Sequence, residues 1–158
     1  MKKQILLIFC LCITVMLQAT VSKTVFVTAG GLSEALTSIE LATVTDITIT
    51  GTIDSRDFVT LRDQATALTI INLSEANVVA YNGTLGTSGT KSTSYSVNTI
   101  PTKAFKNCKR LTSVNISASV TSIGVGAFYS CTGLTTIDIP SSVISIDEVA
   151  FGVCSGKF

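Results

Sequence analysis

Three cysteines recur at 23-residue intervals in the second half of the chain, each in a motif that begins with Ala-Phe. The motifs are AFKNC at 104–108, AFYSC at 127–131 and AFGVC at 150–154. Cysteines in a regular pattern are typical of metal sites, disulfides, reactive thiols or a packed core. Zinc sites use paired cysteines together with histidine or carboxylate ligands, and this sequence of 158 residues has no histidine. The pattern therefore disfavours a metal.

The spacing also bears on the other chemistries of Cys108, Cys131 and Cys154. Stacked strands lie about 4.8 Å apart, within reach of a disulfide, but equivalent side chains in a stack point in parallel. An odd number of cysteines cannot pair completely within one chain. A nucleophilic thiol needs an activating base, and histidine is absent. We interpret the three as buried thiols that pack as small hydrophobes, and we predict no metal, no cofactor and no catalytic residue.

The interval of 23 residues extends to most apolar positions of this half. The aligned pairs are Leu111–Leu134, Val114–Ile137, Ile116–Ile139, Val120–Val143 and Ile123–Ile146. Such a repeat indicates a solenoid, in which each unit buries its apolar face against the next. Within a unit, the alternation predicts a strand with Val114 and Ile116 inward, followed by a helical turn that carries Phe128 and Cys131 on one face.

The upstream half repeats the strand pattern less regularly. DITIT at 46–50 aligns with IINLS 24 residues later, and LTIINLS at 68–74 resembles LTSVNIS at 111–117. The segment LSEALTSIELA predicts one helix with Leu32, Leu36 and Ile39 inward. A second helix begins at Asp54 or Ser55 and has an apolar face. That face is formed by Phe58, Leu61 and Ala65. We expect residues 23–80 to form a strand–helix N-terminal cap and the first atypical units.

Residues 81–99 interrupt the repeat, because they separate two strand units by 43 residues. They are rich in glycine, serine and threonine, which predicts a long, flexible or ligand-contacting loop. GTLGTSGTKST resembles a phosphate-binding loop only loosely. Thr90 separates Gly89 from Lys91, and no helix is predicted to follow. We expect the repeat units to resume at 100–158.

The first 22 residues have the features of a secretory signal peptide. Lys2 and Lys3 precede an uncharged apolar run that is too short to span a bilayer. A cut after Ala19 or Ser22 would remove both lysines, Cys10 and Cys12. The remaining chain would have nine basic and ten acidic residues, no basic surface for nucleic acid and no transmembrane segment. We expect a secreted or surface protein, with the periplasm as an alternative.

The units from Ile100 to Cys154 resemble the BspA-like class of bacterial leucine-rich repeats. The resemblance rests on Leu111, Val114, Ile116, Val120, Ile123, Gly124, Ala127, Phe128 and Cys131, and it recurs from Leu134 to Cys154. It implies an α/β repeat fold: a leucine-rich-repeat solenoid, mostly β with short helical turns, from a Bacteroidetes surface or secreted protein. The repeat would place a leucine at Lys157, so we expect a short or truncated member whose last coil, being uncapped, could self-associate.

The outward strand residues predict an exposed polar sheet face. The candidate residues are Thr48, Asn72, Ser113, Asn115, Ser117, Thr136 and Asp138. Resemblance to the family implies adhesion to a protein or glycan on host or neighbouring cells through such a face. The alternatives are a structural fragment of a longer repeat protein and, last, a carbohydrate-active enzyme. The acid pairs for such an enzyme are Asp54 with Asp57 and Asp147 with Glu148, which helix capping and a solvated turn explain more simply.

Overall fold

The protein is described by a computed structural model that covers residues 19–89 and 91–156. The helices are α1 (Leu32–Ala35), α2 (Ser38–Thr43) and α3 (Ser55–Asp63). The strands are β1 (Ser22–Val27), β2 (Asp46–Ile53), β3 (Ile70–Val78), β4 (Tyr81–Gly83), β5 (Thr93–Tyr95), β6 (Thr99–Ile100), β7 (Ser113–Asn115), β8 (Ser122–Ile123), β9 (Thr136–Asp138) and β10 (Ser145–Ile146). Residues 1–18, with most of the predicted signal peptide, Cys10 and Cys12, lie outside the described residues, as do Thr90 and Lys157.

A five-stranded parallel sheet runs along the molecule in the order β1-β2-β3-β7-β9. Its register places Asp46 beside Ile70, and Ser113 beside both Ile70 and Thr136. Parallel neighbours must be joined by a crossover, and here each crossover completes one coil of the chain. Val114 and Ile116 are buried, as the alternation predicts. The fold is the predicted repeat solenoid, mostly β, with few and short helices.

A second, shorter ladder follows the first around each coil of the repeat region. β6, β8 and β10 form a parallel sheet of three strands, with Thr99 level with Ser122 and Ser122 level with Ser145. Ile100 and Ile123 of this sheet point into the core and have no exposed surface. Each 23-residue unit therefore contributes two short strands, one to each ladder, and the turns that join them.

The Ala-Phe…Cys motifs form tight turns, rather than helices, that stack on the side opposite the large sheet. The rings of Phe105, Phe128 and Phe151 lie one above another, with centroids 5.3 Å and 5.2 Å apart. Backbone hydrogen bonds join successive turns. They run from the N–H groups of Lys103, Phe105 and Asn107 to the carbonyls of Val125, Ala127 and Tyr129, at 3.0, 2.7 and 2.8 Å. The motif thus forms a third ladder parallel to the two sheets.

A row of threonine hydroxyls joins the coils just before the large sheet begins. Thr69 Oγ1 donates to the carbonyl oxygen of Thr45 at 2.8 Å, Thr112 Oγ1 to that of Thr69 at 3.0 Å, and Thr135 Oγ1 to that of Thr112 at 3.2 Å. The backbone N–H of Thr69 and that of Thr112 donate to the same acceptors. Side chains therefore extend the ladder by one residue beyond the strands.

The predicted helix at LSEALTSIELA is two short helices, and the expectation that Ile39 points inward is wrong. Leu36 ends α1 in an extended conformation and remains buried. Thr37 then caps α2 through a reciprocal capping box with Glu40. The new helix axis turns Leu41 into the core and leaves the Ile39 side chain 74% exposed.

The second predicted helix is confirmed as α3. Asp54 is its N-cap and accepts from the Arg56 N–H at 2.8 Å, and Asp57 closes the capping box by accepting from the Asp54 N–H at 2.8 Å. Phe58 and Leu61 are buried. The Phe58 ring meets Phe105 edge-on with centroids 5.5 Å apart, so α3 occupies the place of one turn in the stack.

The segment predicted as a long loop contains a hairpin of β4 and β5 that is fixed against α3. Tyr81 pairs with Tyr95 across the antiparallel strands. Ser55 Oγ, at the start of α3, accepts from the Thr87 N–H at 2.9 Å, and Tyr95 Oη accepts from the Ser88 N–H at 2.7 Å. The loop prediction fails here because the anchoring groups lie on a distant part of the chain.

Candidate interaction surface

The outward positions of the five-stranded sheet form continuous rows that are mostly polar, with Ile70 as an exposed apolar exception. One row crosses every strand and consists of Thr24, Thr48, Asn72, Asn115 and Asp138. The adjacent row consists of Ser22, Asp46, Ile70, Ser113 and Thr136. Strand pairing therefore brings six of the seven predicted face residues into two neighbouring rows. The alignment of each row follows from the register of the parallel strands. The buried side chains on the other face of the sheet set that register.

The seventh predicted residue, Ser117, is not part of this surface. β7 ends at Asn115, so the strand alternation stops before Ser117. Ser117 is only 4% exposed, and its hydroxyl lies 3.0 Å from Ser119 Oγ and accepts from the Ser119 N–H. The serine therefore closes a turn. Among the six that remain, Thr136 and Asp138 are exposed, whereas the other four are half-buried between neighbouring rows.

Sequence reasoning missed an aromatic residue at one end of this surface. Phe26 on β1 is 72% exposed and has the same strand parity as Thr24. Its ring lies against Gly51, where a Cβ atom would come within 2.9 Å of the ring. Gly51 has a φ of 92°, a conformation that favours glycine. The sequence TVFVT at 24–28 could have predicted this position, because an alternating strand with Val25 and Val27 inward places Phe26 outward.

The charge of the surface is acidic. Asp46, Glu75 and Asp138 are its ionisable side chains among the described outward positions of β1, β2, β3, β7 and β9. Glu75 enters the surface because a register shift between Thr48 and Thr50 places it beside Thr50. Hydroxyls, amides and carboxylates on a rigid sheet can accept and donate many hydrogen bonds. They offer no arrangement of nucleophile and base.

The buried carboxylates at α3 are held by the protein itself. Asp57 is 1% exposed and accepts from the N–H groups of Gly30 and Leu32, at 2.7 and 2.9 Å. Burial raises the pKa of Asp57, an effect that these donors oppose. Asp54 is 2% exposed and pairs with Arg56 at 2.6 Å. Asp57 thus ties the N-terminal cap to α3 directly, and Asp54 holds Arg56, which donates to the Ala29 carbonyl oxygen at 3.1 Å. Both roles are structural.

The three thiols are free and lie in the stack of turns. Cys131 is completely buried, and its Sγ donates to the carbonyl oxygen of Phe105 at 3.0 Å; Cys154 repeats this contact with Phe128 at 3.1 Å. Burial raises the pKa of Cys108 and that of Cys131 to about 12. Because the thiolate is the nucleophilic form, the raised pKa makes these two thiols slow to react at neutral pH.

Residues 80–157 match the family model for the BspA type leucine rich repeat region, in six copies. This region of the chain is therefore a BspA-type leucine-rich-repeat region. The chain is also similar to a crystallised leucine-rich repeat protein from Bacteroides ovatus ATCC 8483, with 23% sequence identity and a TM-score of 0.35. That similarity covers 71% of this chain and 35% of the solved one, so the chain spans about a third of the length of the solved protein. No match was found among curated proteins.

Leucine-rich-repeat domains mediate protein interactions through their extended sheet surfaces and are typically not enzymes. Among residues 19–89 and 91–156, no helix is both long and apolar enough to span a bilayer.

Proposed function

We propose that this protein is an exported, non-catalytic interaction module that binds a protein or glycan on host or neighbouring cells. The row of Thr24, Thr48, Asn72, Asn115 and Asp138, which crosses all five strands in register, carries the proposal. Such a surface makes many weak polar contacts at fixed spacing. The number of coils would then set the strength of binding.

The chemistry of the surface favours a partner with hydrogen-bond donors and positive charge. Its carboxylates, Asp46, Glu75 and Asp138, have no cationic side chain among them on the described outward positions of the sheet. Exposed Phe26 adds an apolar contact at the β1 end. A basic protein segment or a hydroxyl-rich glycan fits this combination, and an acidic polymer such as nucleic acid does not.

The test is a binding screen of the purified chain against immobilised extracellular-matrix proteins and a glycan array. We expect saturable binding that Asn72→Arg and Asn115→Arg abolish, because each places a bulky cation in the central row. Thr132→Arg is the matched control, since Thr132 is exposed in a turn away from the large sheet. Binding that survives both central substitutions, or that is lost in Thr132→Arg, would contradict the assignment to this face.

Export, surface or secreted location and an origin in Bacteroidetes are part of the same proposal. Val21 supports a cut after Ala19, because its carbonyl accepts from the Thr45 and Asp46 N–H groups and its N–H donates to Thr45 Oγ1. A cut after Ser22 would remove these bonds and the first residue of β1. Edman sequencing of the protein secreted by a Bacteroides host should begin at Thr20; an intact Met1 in the cytoplasm would refute export.

A structural role within a longer repeat protein is the second candidate. It is favoured by apolar side chains on the last coil, where Ile144 is 87% exposed and Val153 is 62% exposed. A further repeat stacked on this coil would cover them. Absence of any ligand in the screen, together with binding by a longer product of the same gene, would support this candidate over the first.

A further inference from the structure

The junction between α3 and the first regular turn contains a cavity. Successive regular turns are joined by backbone hydrogen bonds and by parallel phenylalanine rings. At this junction α3 replaces a turn, and Phe58 meets Phe105 at 73° instead of stacking on it. Because a helix and a turn differ in width, the surfaces of α3 and the first turn do not pack tightly against each other. A cavity of about 250 Å³ remains between them.

The walls of this cavity are mostly apolar, with Thr66 and Asn107 as polar lining residues. Leu61 and Ala65 come from α3 and the residues after it, Leu68 from the segment just before β3, Ile71 from β3, and Phe105 from the first turn. Each of these side chains is at most 6% exposed. Cys108 also lines the cavity and is partly exposed, whereas its equivalent Cys131 is fully buried against the preceding turn. An apolar ligand body would therefore meet hydrocarbon and a protonated thiol.

The rim of the cavity is cationic. Arg62, Lys109 and Arg110 lie on it, and Lys109 and Arg110 are exposed. Arg62 pairs with Asp63 at 2.7 Å and also donates to the carbonyl oxygens of Thr87 and Lys103, which fixes the guanidinium in place. The lining thus includes three cationic side chains, and Arg62 is paired with Asp63. An anion at the mouth of the cavity would be attracted.

We infer that this cavity binds a small amphiphilic carboxylate, such as a medium-chain fatty acid. The apolar tail would fill the space between Leu61, Leu68 and Phe105, and the carboxylate would lie at Lys109 and Arg110. A volume of about 250 Å³ is below the roughly 300–1,000 Å³ of sites for drug-sized molecules, so the ligand is small. The site lies apart from the polar rows of the large sheet and does not depend on their function.

The test titrates octanoate into the intact chain and follows the backbone amides by two-dimensional NMR. 1-Octanol, with the same tail and no charge, and acetate, with the charge and no tail, are the probe controls. We expect saturable shifts at Ala65, Thr66 and residues 107–111 with octanoate, weaker shifts with octanol, and none at the same concentration of acetate. Shifts that do not saturate, or that are spread over the whole surface, would overturn the inference.

Two variants separate the roles of charge and shape. Lys109→Gln combined with Arg110→Gln should weaken octanoate binding by about five- to tenfold and leave octanol binding unchanged. Ala65→Leu fills the cavity and should weaken both probes. Lys106→Gln is the matched control: Lys106 lies in the same turn, with its amine 5.7 Å from the Tyr129 ring, and does not line the cavity.

The rate at which Cys108 is alkylated gives an independent readout of the same site. We expect octanoate to slow alkylation of Cys108 by iodoacetamide, as followed by peptide mapping, and to leave the rate at partly exposed Cys154 unchanged. Equal slowing at both cysteines, or octanoate binding that is indifferent to the rim substitutions, would show that the cavity is not the site.

Discussion

Cys131 lies wholly inside the stack of turns, where its thiol donates to the Phe105 carbonyl. Cys131→Ala removes the buried sulfur and its hydrogen bond, so we expect the free energy of unfolding to fall by about 1–2 kcal/mol. Urea denaturation measures this change. Cys154→Ala is the matched control, because Cys154 makes the same hydrogen bond but is only partly buried, and its loss should be smaller. Equal or absent losses would contradict the packing role.

The repeat units differ in how well their residues suit the left-handed backbone conformation that the turns require. Each regular unit has left-handed residues just before Ala-Phe and just before Cys, and the last unit fills both positions with valine. Val149 has a φ of 49° and Val153 a φ of 62°, whereas the equivalents of Val153 are Ser130 and Asn107. A left-handed conformation costs an ordinary residue roughly 1–2 kcal/mol, and asparagine tolerates it better.

Replacing these valines should therefore stabilise the protein. We expect Val153→Asn and Val149→Asn each to raise the free energy of unfolding by about 1 kcal/mol, since both side chains are mostly exposed and little apolar burial is lost. Thermal and urea denaturation measure the change. Val125→Asn is the control, because Val125 is also exposed but lies outside the left-handed region. A similar gain at Val125 would show that backbone strain is not the cause.

Among the elements, the hairpin of β4 and β5 is anchored to α3 by contacts that include one buried hydroxyl, that of Ser55. Ser55 is 1% exposed and its Oγ accepts from the N–H of Thr87, a residue that is 3% exposed. Ser55→Ala leaves that N–H without its acceptor, and we expect a loss of about 1–3 kcal/mol. Hydrogen exchange should accelerate at residues 86–88 and stay unchanged in β2 and β3. Ser92→Ala, at an exposed hairpin position, should change neither quantity.

The regular elements were predictable because their signals are periodic and local. The inward positions of Val114, Ile116, Phe128 and Cys131 follow from alternation and from the 23-residue interval, and the structure confirms that they are buried. The break between α1 and α2 was also visible, since Thr37 and Glu40 have the spacing of a capping box. Its neglect led to the wrong placement of Ile39.

The remaining features depend on contacts that are distant in the sequence. The hairpin is held by hydrogen bonds that join Ser55 and Arg62 to groups 25 to 32 residues away in the sequence. A local sequence pattern cannot predict contacts between residues so far apart. Ser117 was assigned to the sheet by extending the alternation past the end of β7. The cavity forms because α3 and the neighbouring turn do not pack closely against each other. This depends on both surfaces together, so it could not be predicted from either sequence segment alone.

The whole molecule has two unlike ends. At one end, α1 packs beside β1 and α3, and Asp57 ties the cap to α3 through the backbone of Gly30 and Leu32. At the other end, β9 and β10 are the outer strands of their sheets. The exposed apolar side chains near β10 are Ile144, Ile146, Val149 and Val153. An outer strand with apolar neighbours is a template for pairing with another chain.

We therefore predict that the 158-residue chain self-associates through this last coil. Light scattering should show a mass that rises with protein concentration, and Ile144→Lys combined with Ile146→Lys should return it to the monomer by adding charge at the outer strand. Ile39→Lys is the control, since Ile39 lies at the opposite end with an exposure of 74%, between the 51% of Ile146 and the 87% of Ile144. This substitution should leave association unchanged. A monomer at all concentrations would refute the prediction. Association abolished equally by Ile39→Lys would move the interface to the N-terminal cap.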